Sequence, residues 1–241
     1  MNEINNVSDS LEASIAKDNL FDIVGSLGDY SLDKLLDLGE GIPIISYFSK
    51  GVKATIAVRD MLFLEKVVEF LRTVGEVPTE QRLKMIDKIQ SDKSYNEKFG
   101  KASMIALERF NDVKKARILG QAAKYLSRDE LTFRLYKRLS FTLDRLYIDD
   151  LLFFSSTPVI SRLPVYLKSD LETLGLIKSE IVTKKVDPRT SSRGAVQVDA
   201  KIKWEITRLG MFFKQIVEDK PLELFGGRKP EFPVGFNEPE E

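Results

Sequence analysis

The sequence predicts a mainly α protein: an N-terminal antiparallel helical bundle followed by a small α+β domain. Three observations carry this expectation. Apolar residues recur at three- and four-residue spacing through residues 60–146, the period of a core-facing helix. Connections between these stretches are short, as between antiparallel neighbours in a bundle. Past Ser155-Ser156-Thr157-Pro158 the period changes to two over residues 176–183 and 196–206, which marks strands. With 241 residues, 43% apolar and 31% charged, the chain suffices for one or two domains with a substantial core.

Four segments follow: an acidic helical head over 1–40, the bundle over 41–155, the α+β domain over 156–218 and a flexible acidic tail over 219–241. The head reads as one helix over 11–24 and a second turn over 32–38, closed by Gly39-Glu40-Gly41. Residues 42–74 are the most apolar region, but Lys50, Lys53, Arg59 and Asp60 interrupt it. A membrane-spanning helix needs about 20 predominantly apolar residues, so a buried helical hairpin is expected in this region. The alternative is an amphipathic element with Lys50, Lys53 and Arg59 at headgroup level. Pro78 ends one helix and opens the next, where its missing N–H costs nothing.

Helices are then expected over 94–109, 112–126 and 128–154. Ser127 and Glu130 read as a capping box for the last. Its leucines, Leu131, Leu135, Leu139, Leu143 and Leu146, form one stripe. Arg134, Arg138 and Arg145 share a narrow wedge beside it, a candidate anion-binding face or an internal salt-bridge rim.

In the C-terminal part, residues 163–174 read as a helix ended by Gly175. Strand 176–183, a basic loop over 184–194 and strand 196–206 follow. Thr207 then caps a helix packed through Leu209, Phe212, Phe213 and Ile216. Leu174-Gly175-Leu176-Ile177 after a helix and Thr207-Arg208-Leu209-Gly210 after a hairpin resemble the winged-helix pattern over about 150–218. The resemblance implies a nucleic-acid-binding or protein-docking module. Its candidate nucleic-acid contacts are Lys184, Lys185, Arg189, Arg193, Lys201 and Lys203, although the helix over 163–174 holds Asp170 and Glu172 beside Lys168. Ile42-Pro43-Ile44-Ile45, Arg59-Asp60-Met61-Leu62-Phe63-Leu64 and Phe70-Leu71 are similar to an uncharacterised bacterial helical family. Some of its members carry abortive-infection or phage-defence associations. That likeness implies no catalytic residues.

Charge is balanced, 37 basic against 37 acidic residues, but unevenly placed. Residues 1–40 hold two bases and nine acids, 101–147 hold eleven and five, and 178–203 hold seven and three. Such segregation suits internal pairing or selective partner surfaces. The chain has no His and no Cys, which excludes disulfides, thiolate nucleophiles, imidazole bases and the usual zinc sites. Gly100-Lys101 lacks the P-loop glycine and hydroxyl, and adjacent Asp149-Asp150 diverge on a helix, so neither supplies a catalytic or metal site. Residues 1–10 carry no signal-peptide pattern. The expectation is a non-enzymatic cytoplasmic protein without cofactor or small-molecule substrate. It docks a protein, a second copy or nucleic acid, with a peripheral membrane role as the alternative.

Overall fold

The structure is a computed structural model, and it describes residues 2–25, 41–51, 58–95, 97–185 and 198–220. It is mainly helical with one small two-stranded antiparallel sheet. The chain divides into two compact units, one over Met1–Ile148 and one over Asp149–Lys220. The expected turn over 32–38 and most of the tail lie outside the described residues.

The N-terminal unit holds α1 (Asn2–Ile15), α2 (Leu20–Gly25), α3 (Pro43–Gly51), α4 (Val58–Gly75) and α5 (Thr79–Ser91). It continues with α6 (Phe99–Arg109), α7 (Val113–Ser127) and α8 (Phe133–Arg145). The single helix expected over 11–24 is two. Asp18 and Asn19, whose short polar side chains compete with helical hydrogen bonds, sit in the break. Arg82 holds that break in place. Its guanidinium, fully buried, donates to the carbonyls of Ile15, Lys17 and Val77 and to the Thr79 hydroxyl. It thus adds side-chain donors to carbonyls at and just past the end of α1, where helical donors run out.

α4 packs most extensively on α7, and α1 on α6 and α3. The α4–α7 seam is close because Gly120 faces the Phe70 carbonyl and Thr73. Buried Glu69 ties it further, accepting from Arg72 on α4 and Arg117 on α7. Phe99 lies at the centre of an aromatic cluster, 5.2 Å from Tyr136 and 6.4 Å from Phe133, ring centre to ring centre. The Tyr136 hydroxyl is buried against the Ser103 hydroxyl at 2.7 Å.

The capping box is a correction. Ser127 is the last residue of α7 and donates to the Lys124 carbonyl at 2.7 Å. Asp129 then takes φ 60°, reversing the chain, and Thr132 caps α8 by accepting from Leu135 N–H at 3.3 Å. The helix expected over 128–154 is likewise two, α8 and α9 (Ile148–Ser156). Leu146 and Ile148 are both buried while Tyr147 is exposed. Positions two apart lie about 200° apart on a helix, so burying both requires the extended step seen at Leu146.

The C-terminal unit contains most of α9, a 3₁₀ turn (Ile160–Arg162), α10 (Val165–Thr173), β1 (Ile177–Lys185), β2 (Val198–Ile206) and α11 (Arg208–Val217). Gly175 ends the α10 region with φ 75°, a conformation open to glycine at no steric cost. Thr207 caps α11 as expected, accepting from Gly210 N–H at 3.0 Å. Its hydroxyl also lies 2.6 Å from the Gly175 carbonyl and 3.0 Å from that of Leu176.

Candidate interaction surface

The β1–β2 ribbon pairs Ile177 with Ile206, Ser179 with Trp204 and Ile181 with Ile202 on one face. Ile177 is buried at the base, but Ile181 and Ile202 are 69% and 61% exposed. The apolar half of the alternation therefore meets a core only at its root.

The other face pairs Lys178 with Glu205, Glu180 with Lys203 and Val182 with Lys201. Glu205 is the hub of its charges, 2.7 Å from the Lys203 amine and 3.0 Å from that of Lys178. The hydrogen bond from Lys203, then that from Lys178, holds the Glu205 carboxyl down at about 2; the same hydrogen bond raises Lys203. Of the six cations assigned from sequence, Lys201 and Lys203 share this face. Lys203 is already paired. Lys184 and Lys185 stand in β1 in register with Asp199 and Val198. Arg189 and Arg193 lie outside the described residues. Among the described side chains this face carries three lysines against two glutamates, an alternating ladder rather than an uninterrupted cationic strip.

Sequence reasoning missed the orientation of α10. Lys168, its only base, is buried, donating to the Ser161 carbonyl at 2.9 Å with its amine 6.0 Å from the Trp204 ring centre. Outward, α10 presents Val165, 81% exposed, and Tyr166, 60% exposed, with Ser169, Asp170 and Thr173. The Tyr166 hydroxyl donates to Asp150 at 3.3 Å, and the Asp150 charge raises the phenol above its ordinary pKa. Glu172 turns toward β1, accepting from the Ser179 backbone at 2.9 Å.

Arg134, Arg138 and Arg145 are exposed along one stripe of α8, with Phe141 between them and the Arg145 guanidinium 5.1 Å from its ring centre. The acidic head makes its described polar contacts elsewhere: Asp9 pairs with Lys98 at 2.9 Å, and Glu12 serves Gly100 and Gln90. In segment 42–64, Ile42, Ile44 and Ile45 are fully buried, so these isoleucines face protein. Among the described residues no helix is long and apolar enough to cross a membrane. Nor, among them, do three acidic side chains gather as a metal site would need.

The N-terminal unit also contains a cavity of about 430 Å³ between α1, α3, α4 and α6, walled in part by Tyr47, Phe48, Phe63 and Lys66. No family model, curated protein or solved structure matches the chain.

Proposed function

We propose that the protein is a non-enzymatic interaction protein whose C-terminal unit is a winged-helix-like module used to dock a protein. The order of α9, α10, the β1–β2 ribbon and α11 supports the winged-helix reading, together with the Gly175 and Thr207-Arg208-Leu209-Gly210 junctions. One observation carries the choice of protein over nucleic acid. The helix that would enter a major groove keeps its only cation, Lys168, inside and offers Val165 and Tyr166 outward. Major-groove recognition needs exposed donors and phosphate-neutralising cations, whereas exposed apolar and aromatic side chains anchor protein interfaces. The likeness of the front part to helical proteins with phage-defence associations supports a defence setting for this docking.

A photo-crosslinking residue placed at Tyr166 or Ile202 in the full chain, in its own host, tests the reading. A crosslink to a polypeptide, either a second copy or another protein, is expected. Crosslinks to nucleic acid overturn it. So does duplex-DNA binding at about 50 mM salt that falls steeply with added salt and with Lys201→Ala or Lys203→Ala.

A further inference from the structure

The cavity in the N-terminal unit has a chemistry of its own. Its volume of about 430 Å³ falls in the range of small-molecule sites, roughly 300–1,000 Å³. Tyr47, Phe48 and Phe63 wall one side, with Phe48 edge-on to Phe63 at 5.3 Å, and Met104 and Ile105 wall the other. All five are half-buried because they border this space instead of a neighbouring helix.

Its charges are unequal. Arg59 and Glu108 neutralise one another at 3.3 Å, both well exposed. Lys66, only 8% exposed, gives its ammonium to the carbonyls of Phe110 at 2.7 Å and Glu108 at 3.3 Å. An ammonium has three protons, so two carbonyls leave one over. Lys101, one turn before Ile105 on α6, has no hydrogen-bond or ion-pair partner among the described residues. Against these two cations stands one exposed carboxylate, Asp60. A buried lysine amine is costly unless matched by an anion; the Glu108 charge offsets the burial of Lys66 only in part, and its contact with the Phe63 ring at 5.7 Å supplies no anion.

We infer that this cavity binds an amphipathic monoanion, an apolar body ending in a carboxylate or comparable anionic group, with the body against Phe48, Phe63 and Met104 and the anion on Lys66 and Lys101. The cavity belongs to the N-terminal unit and the docking surface to the C-terminal one. It assigns binding only, and no reaction.

Isothermal titration of the full chain with dodecanoate, below its micellar concentration, tests it against dodecanol and dodecyltrimethylammonium, which share the body but not the charge. Dodecanoate is expected to bind one-to-one and about tenfold or more tighter than dodecanol, as a charge-assisted hydrogen bond implies. Lys101→Ala should weaken dodecanoate about tenfold and leave dodecanol unchanged, while Phe63→Ala weakens both. Lys101 is half-buried on a helix and its removal spares the core, so the variant separates ligand binding from folding. Incubation with phosphatidylglycerol vesicles, followed by assay of lipid retained by the protein, distinguishes a membrane source from a free acid; either source fits the site. Equal affinity for dodecanoate and dodecanol, preference for the cation, indifference to Lys101→Ala, or no binding of dodecanoate and no retained lipid overturns it.

Discussion

The Glu12 carboxylate on α1 accepts the backbone N–H of Gly100, in the first turn of α6, at 2.8 Å. Its second oxygen accepts from the Gln90 amide at 2.7 Å. A buried acid thus caps a helix begun 87 positions later in the chain, where backbone N–H groups lack helical partners and the dipole favours negative charge. Glu12→Ala strands both donors and should cost about 2 kcal/mol. Glu12→Gln keeps an acceptor and should cost less than half of that. Urea denaturation of the two variants, followed by circular dichroism, checks the order; equal losses would mean that bulk, not the hydrogen bonds, matters at this position.

Gly120 is the contact point of α4 and α7. A Cβ there would lie 2.7 Å from the Thr73 Cβ and 3.1 Å from the Phe70 carbonyl. Alanine is a better helix former by about 1 kcal/mol, yet Gly120→Ala should destabilise by about 1–3 kcal/mol because the backbones must separate. Gly25, whose nearest neighbour to an added Cβ among the described residues is a Phe21 ring atom at 3.8 Å, has room there. Gly25→Ala should be neutral or stabilising. The opposite signs are read from thermal melts of the two variants.

The elements that were legible in the sequence are those whose signals are local. Gly175 and Thr207 each act within a few residues of themselves, so turn and cap chemistry located them. What was not legible depends on distant partners. Arg82 looks like a surface base on an amphipathic helix until the carbonyls of Ile15 and Lys17, 67 and 65 positions away, are brought to it. Ser127 has the capping spacing, but Thr132 takes the role because the chain reverses at Asp129. The sequence overstates the basic charge of the ribbon for a related reason. Lys203 and Glu205 share a face, so a charge sum over 178–203 stops short of the acid that neutralises it. The cavity left no pattern at all, since its walls come from four separate helices.

The junction of ribbon and last helix is held by contacts that tolerate little change. Thr207 ties the Gly175 and Leu176 carbonyls to the first turn of α11. Thr207→Val, of similar shape but without the hydroxyl, should cost about 1–2 kcal/mol, and Thr207→Ser should restore most of it. Gly210→Ala should be worse than either, since its Cβ would fall 2.0 Å from the Leu176 carbonyl oxygen, a backbone atom that cannot swing away. Hydrogen exchange at the β1 and β2 amides is the measurement, because a global melt can miss opening confined to this unit. Unchanged protection in Gly210→Ala would show that the helix has room to move.

Glu205 sets the charge of the ribbon. Its carboxyl lies at about 2, below the ordinary 4.5, through hydrogen bonds first from Lys203 and then from Lys178. For a carboxyl depressed in the fold, the favourable pairing is complete above 4.5 and is lost as pH falls through about 2. Carbon-detected NMR titration should find the Glu205 midpoint near 2 in the parent and moved upward in Lys203→Ala. Because the group is still partly open to solvent, added salt should shrink the difference, and little global stability should follow it. A Glu205 midpoint at the ordinary value in the parent would remove the ladder and leave the ribbon more cationic.

Lys115, on α7, is only 2% exposed, and its amine makes no hydrogen bond among the described residues. Burial lowers its pKa from the ordinary 10.5, and the charges of Asp144 and Asp112 offset that only in part. The sign is the reverse of a lysine stabilised by a partner. At neutral pH the amine is charged in both states, and the fold bears the part of the burial cost that the two acids do not offset. That cost is relieved as pH rises through the lowered folded value toward 10.5. Lys115→Met keeps the aliphatic stem and removes the charge, and should stabilise the protein by about 1 kcal/mol at pH 7. The advantage should shrink as pH approaches 10. Denaturant midpoints of parent and variant across this range measure both parts. A variant less stable than the parent at pH 7 would show that attraction to Asp144 and Asp112 outweighs the desolvation of the amine.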